Sequence, residues 1–252
     1  MILRAVEAGA GKPLVLLHGL FGRAANFGVV QRRLADRARV IALDLRNHGD
    51  SPHAPGMDYP TMAADVAETL LALDALPAVV MGHSMGGKVA MALALATPQA
   101  VTKLIVSDIA PVPSPPRFRA IAAAMQAMKL PPGLTRQQAD AALAPAVPDA
   151  AMRQFLLQNL KFGAAPAWRI SLDDIAAALP EIESWPQIVA APYAGPTAFV
   201  VGGRSDFVRE QDRPAIRALF PAVRFITLKN AGHWVHADDP EGFIAILAAA
   251  IG

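Results

Sequence analysis

Six short apolar runs constrain this chain more than any other feature: Leu14 to Leu17, Arg39 to Leu43, Ala78 to Met81, Lys103 to Val106, Thr197 to Val201 and Val223 to Leu228. Most are continuously apolar, as strands covered on both faces must be. Helical patterns separate them, at about 26–36, 61–74, 86–97, 209–219 and 240–250. Alternation of this kind predicts a doubly wound, mostly parallel sheet, with Ile2 to Glu7 adding an antiparallel edge strand.

The alternation fails between 111 and 195. The stretch "PVPSPPRF" opens that region with four prolines, a stiff exit from a sheet. Helical patterns follow near 117–129, 135–144, 149–160 and 172–179, with no convincing strand among them. The expected organisation is a core of 1–110 and 196–252 and a helical cap of 111–195.

A chain of 252 residues, 54% hydrophobic and 17% charged, can bury a large core, which excludes global disorder. The net charge of +2 argues against nucleic-acid binding. Arg32, Arg33, Arg37 and Arg39 have the spacing of a solvated helix face. The absence of cysteine excludes disulfides, thiolate zinc sites and a cysteine nucleophile. No signal peptide is visible, and no apolar run approaches the roughly 18 residues of a membrane span. A cytoplasmic protein without membrane insertion is expected. "GAGKP" mimics part of a phosphate loop, but Pro13 stands where Ser or Thr is required.

The chemistry concentrates in "AVVMGHSMGGKVAM", where a strand stops at Gly82, presents Ser84 and resumes as a helix. Gly82-His83-Ser84-Met85-Gly86 fits G-x-S-x-G in the strand–turn–helix context that the motif needs. Small residues two before and two after the serine let the chain double back and project its hydroxyl. A serine needs a base, and His233 in "NAGHWVHADDP" follows the last strand, in a loop on the same sheet edge as Ser84. His236 is the substitute base, with packing or solvent contact as its simpler role. His83 is expected beneath the turn, His48 and His53 in the loop "RNHGDSPHAPG", and His18 in a supporting role. The backbone amides of Leu20, in "LLHGLFG", and of Met85 are the candidate oxyanion donors. No metal-ligand spacing is visible, and no cofactor is implied.

Taken together, "HGLFG", "DLRNHGDSP", "GHSMGGKVAM", "GGRSDFV" and "GHWVHADDP" resemble the α/β-hydrolase fold family, in its order and spacing over nearly the whole core. "RNHGDSP", "VSDIAPV" and "AGHWVHADDP" are similar to the bacterial YbfF-type esterases and related abhydrolases. The resemblance implies an α/β-hydrolase fold whose cap is inserted after the family's strand 6, here the run ending at Ser107. It also implies a serine, an acid and a histidine in that chain order. The acid has two candidates. Asp206 in "GGRSDFV" occupies the commoner family position. In the YbfF-like subgroup a serine stands in that loop, matched here by Ser205, and the acid is at the position of Asp108, which is favoured.

The expected activity is hydrolysis of a small-molecule acyl ester, or a thioester, through an acyl-enzyme. Phe21, Phe118, Met125, Phe155, Phe162, Trp168 and Trp234 are the candidate substrate-binding residues, with Met128 and Trp185 as further candidate walls. Arg119 or Arg169 would meet the phosphate of a carrier thioester. Other carboxylates have structural readings: Asp238 and Asp239 cap the last helix, Asp44 ties the "RNHG" loop, and Asp173 and Asp174 open a cap helix. A carbon–carbon bond hydrolase or a cofactor-free perhydrolase could use the same residues, and a ligand-binding receptor could retain an idle set. Oligomeric state is unspecified. Dehalogenases and epoxide hydrolases of this fold attack with aspartate, against which Ser84 argues.

Overall fold

Strands whose alternate side chains enter two different buried clusters organise the centre of the molecule. In the computed structural model, which describes residues 1–188 and 190–252, the chain begins with β1 (Ala5–Ala8), β2 (Pro13–Leu17), α1 (Gly28–Leu34) and β3 (Arg39–Leu43). It continues through α2 (Tyr59–Ala72), β4 (Ala78–His83), α3 (Met85–Ala96) and β5 (Val101–Ser107). An insertion then carries α4 (Arg119–Ala127), α5 (Arg136–Leu143), α6 (Ala150–Leu156), β6 (Leu160–Lys161), β7 (Ala167–Trp168), α7 (Leu172–Ala177) and α8 (Leu179–Glu183). The end of the chain supplies β8 (Thr197–Gly202), α9 (Arg213–Leu219), β9 (Val223–Leu228), α10 (Val235–Asp238) and α11 (Pro240–Ile251).

Seven strands form one sheet in the order β1-β3-β2-β4-β5-β8-β9. All pair in parallel except β1, which runs antiparallel to β3 with Ala5 opposite Leu43. The edge strand starts later than Ile2 because the preceding amides are taken by side chains: Leu3 donates to Thr69 Oγ1 at 2.9 Å and Arg4 to Ser51 Oγ at 2.8 Å. Along β2, Val15 and Leu17 enter one buried cluster and Leu14 and Leu16 the other. Alternate side chains of a strand point to opposite faces, so both faces of this sheet must be covered. α1 and α11 cover the second face, with Phe27, Val30, Leu34, Phe243 and Leu247. α2, α3 and the insertion cover the first.

α3 sits deepest. All its residues from Met85 to Leu95 are buried, and its many alanines let it lie close against the sheet. The insertion follows β5, the run ending at Ser107, which corresponds to the family's strand 6. It is not wholly helical: β6 and β7 pair antiparallel, Leu160 opposite Trp168. Asp239 caps α11 by accepting from the Gly242 amide at 2.9 Å, whereas Asp238 accepts from the Gly232 amide at 2.7 Å and so belongs to the preceding loop.

Candidate active site

The site begins with a turn that only glycine permits. At the end of β4, Ser84 adopts φ +53° and ψ −120°, a conformation that costs energy for any residue with a Cβ. A Cβ on Gly82 would stand 2.1 Å from the Gly86 carbonyl oxygen, and one on Gly86 would stand 2.4 Å from that of Leu17. Those contacts show why both flanking positions are bare. The turn is fixed from outside as well: the Ser84 amide donates to the Ser107 carbonyl at 3.0 Å, tying it to β5.

The loop after β9 brings His233 over this turn. Its Nε2 lies 3.0 Å from Ser84 Oγ, and its Nδ1 lies 2.8 Å from Asp108 Oδ2. Asp108 is fully buried just past β5, also with a positive φ, of +54°. Three donors converge on its carboxylate: the Gly202 amide on Oδ1 at 2.9 Å, and the Ser205 hydroxyl and His233 on Oδ2. A carboxylate held this way accepts but does not donate, so the Asp108 bond assigns the proton to Nδ1 and leaves Nε2 free to accept from Ser84. Asp206 makes no hydrogen bond to His233 among the described residues. It is exposed and pairs with Arg117, Oδ1 accepting from Nη1 at 2.9 Å, and that pairing holds its carboxyl below the usual range. Phe207 stacks flat on the His233 ring, 3.7 Å between centroids, and Arg117 covers the other side of Phe207.

Opposite the histidine lies the loop that follows β2. Gly19, Leu20, Phe21 and Gly22 line the same cavity as Ser84. Among the described residues, the Leu20 and Met85 amides donate to no backbone carbonyl. Two buried histidines brace this loop. His18 Nδ1 donates to the Gly19 carbonyl at 2.8 Å while Nε2 accepts from the Leu45 amide at 2.9 Å. His48 repeats the pattern, donating to the Arg46 carbonyl at 2.9 Å and accepting from the Phe21 amide at 3.0 Å. Both rings must be neutral to accept, and burial pushes His18 down to about 4 and His48 to about 3. Asp44 ties the adjoining loops through the Ala24 amide at 2.6 Å and the Asp50 amide at 2.9 Å. His83 lies under the turn and donates to the His233 carbonyl at 2.8 Å. Half-buried His236 packs against Phe27, Phe243 and His83 at the edge of the cavity, and burial lowers it to about 4.

The cavity over Ser84 measures about 370 Å³ and is mainly apolar. Phe21, Phe118, Phe155 and Trp234 line it, together with Ile121, Met152 and Phe207, which sequence reasoning missed. Met125, Phe162 and Trp168 do not. Met125 faces the main buried cluster, Trp168 donates its indole N–H to the Met125 carbonyl at 3.2 Å, and Phe162 is exposed beneath Arg136. Met128 and Trp185 pack on the core cluster instead. Neither arginine considered for a carrier phosphate stands alone: Arg119 pairs with Glu183 at 2.7 Å and Arg169 with Asp50 at 2.6 Å.

A family model described as "alpha/beta hydrolase fold" matches residues 12–240. The chain belongs to that family. Among its curated relatives, this α/β hydrolase is 44% identical over 240 residues to the sn-1-specific diacylglycerol lipase ABHD11 of Mus musculus, covering 92% of this chain and 78% of that one. It is 40% identical to Esterase YbfF of Escherichia coli (strain K12), covering 92% and 90% of the two chains. Among solved structures, a marine microorganism esterase superposes with a TM-score of 0.95 at 34% identity, over 98% of each chain. No helix among the described residues of this α/β hydrolase is long and apolar enough to cross a membrane.

Proposed function

We propose that this α/β hydrolase cleaves carboxylic esters in two acyl-transfer steps, with Ser84 as nucleophile, His233 as general base and acid, and Asp108 as the orienting acid. The observation that carries this reading is the unbroken series Asp108–His233–Ser84, with contacts of 2.8 and 3.0 Å. Ser84 Oγ attacks the ester carbonyl as its proton passes to His233 Nε2. The imidazolium is stabilised across Nδ1 by Asp108, whose charge cannot relax into water because it is fully buried. The oxyanion is held by the Leu20 and Met85 amides, the second reinforced by the N-terminal end of α3. His233 then protonates the leaving alkoxide, and water activated by the same nitrogen releases the acid and restores Ser84.

The apolar cavity supports an acyl substrate with a hydrocarbon group, and its volume lies at the low end of ordinary ligand sites. The activities of the named esterase and lipase relatives agree with ester hydrolysis. Residues 111–195 are proposed as the cap that walls this cavity, on the core of 1–110 and 196–252. Hydrolysis of p-nitrophenyl butyrate by the wild type and by Ser84→Ala is the test, with fluorophosphonate labelling alongside. Turnover and labelling should both disappear in the variant. Wild-type turnover by Ser84→Ala would end the proposal.

A further inference from the structure

A second, much smaller chamber adjoins Ser84 beside the apolar cavity. Its volume is about 20 Å³, and it is lined by Tyr59, Lys88, Ser114 and Glu183 as well as by Ser84 itself. Leu20, Phe118 and Phe207 border both chambers, so the two meet at the serine. Nothing in the acyl-transfer chemistry above uses Lys88 or Glu183. Yet both are buried ionisable groups, at 1% and 6% exposure, and such groups are costly unless they are satisfied.

Lys88 lies one helical turn beyond Ser84 on α3. Its Nζ donates to the Ser184 carbonyl at 2.7 Å and to Ser114 Oγ at 3.3 Å, and sits 5.5 Å from the centre of the Tyr59 ring. Burial lowers this amine to about 7, and in its ammonium form it has three donors, of which one remains. Glu183 gives Oε2 to Arg119, through Nε at 2.8 Å and Nη2 at 2.7 Å. Its Oε1 is buried and has no partner among the described residues. Lys88 and Glu183 line one chamber without forming an ion pair among the described residues. A space of roughly 10–15 Å³ suffices for one water-sized group, so this chamber holds one such group and little more.

A group that accepts from the ammonium and donates to the carboxylate oxygen is a hydroxyl. Building on the esterase reading, we infer that the chamber is a specificity subsite for a free hydroxyl carried by the substrate a short reach from its scissile ester. The hydroxyl supplies a partner both to the remaining donor of Lys88 and to the unpartnered oxygen of Glu183. Lys88 and Glu183 are therefore positioning residues for the substrate. The hydroxyl can belong to the acyl group, as in a 3-hydroxyacyl ester, or to the alcohol, as in a partial ester of a polyol. The chemistry recognised is the same.

Matched pairs of esters test this, with kcat/KM measured by pH-stat. Ethyl 3-hydroxybutyrate against ethyl 3-methylbutyrate reads the acyl side, and 2-hydroxyethyl butyrate against propyl butyrate reads the alcohol side. The wild type should favour the hydroxylated member of one pair by about tenfold or more, since a site built to bond a hydroxyl discriminates against its absence. In Lys88→Met and in Glu183→Gln that ratio should fall towards one. Should Lys88→Met fail to fold, Glu183→Gln and Ser114→Ala read the same ratio. Absence of preference in both pairs, with propyl butyrate still hydrolysed, overturns the subsite and leaves a chamber for water alone. A ratio unchanged in a folded Lys88→Met or Glu183→Gln overturns it too. A wild type that hydrolyses no ester and takes no fluorophosphonate on Ser84 refutes the esterase reading first, a different failure from the loss of hydroxyl preference.

Discussion

Exchanging Asp108 for asparagine separates the two acids that the chain offers near His233. The carboxylate accepts on both oxygens: Oδ1 takes the Gly202 amide at 2.9 Å, and Oδ2 takes Ser205 and His233. An asparagine has one acceptor oxygen and one NH2. If the oxygen keeps His233, the NH2 meets the Gly202 N–H, and a buried donor left facing a donor costs about 1–3 kcal/mol. If the amide turns the other way, its NH2 faces Nδ1, and the imidazole must carry its proton on Nε2, where it cannot take one from Ser84. Either outcome loses the stabilised imidazolium. A buried triad aspartate changed this way lowers kcat by about 10⁴-fold, near 5 kcal/mol of barrier. Asp206→Asn removes only an exposed pair with Arg117, worth about 0–1 kcal/mol, and should leave kcat within about threefold. Steady-state hydrolysis of p-nitrophenyl butyrate by both variants, with melting curves to establish folding, makes the comparison. A larger loss for Asp206→Asn, or Asp108→Asn within about tenfold of wild type, would refute the reasoning.

Acid should unfold the protein through its buried histidines. His18 and His48 stay neutral when folded, with values of about 4 and about 3, so below the ordinary histidine range the unfolded chain binds protons that the folded one cannot. Their stabilisation is intact above about pH 6.5 and is lost as pH falls towards 4, by roughly 3 kcal/mol for His18. A Tm that stays level from about pH 7 to about pH 4.5 would contradict this. Gly82→Ala forces a Cβ to within 2.1 Å of the Gly86 oxygen, so the nucleophile turn must shift; kcat should drop at least tenfold, and an unchanged kcat would show that the turn tolerates the methyl. Phe155→Ala enlarges the apolar cavity and should move the p-nitrophenyl ester optimum to longer acyl chains; an unmoved optimum would remove Phe155 from the acyl wall.

Where the decisive residues are consecutive, the chain could be read directly. Gly82 to Gly86 carry strand end, turn and helix start in one stretch, and the apolar runs foretold the sheet because burial on both faces leaves little room for polar residues. The choice between Asp108 and Asp206 could not be read so, because both follow strands that end beside each other. It depends on which way each backbone turns: Asp108 bends inward with φ +54°, while Asp206 meets Arg117 in solvent. Two-residue strands such as β6 and β7 are too short to show a period of two. On α4, Ile121 faces the cavity and Met125 the core, a difference set by tertiary packing and invisible in a helical pattern of apolar residues. Lys88 and Glu183 are far apart along the chain, and only the folded insertion unites them.

Three of the six histidines, His18, His48 and His83, are enclosed neutral rings. That leaves exposed His53 and half-buried His233 and His236, both of which line the cavity, open to attack from outside. An acylating reagent for imidazoles such as diethyl pyrocarbonate therefore meets one ring on the outer surface and two in the cavity. In a protein carrying His53→Gln and His236→Gln, the number of modified rings and the fraction of lost turnover should rise together, one for one.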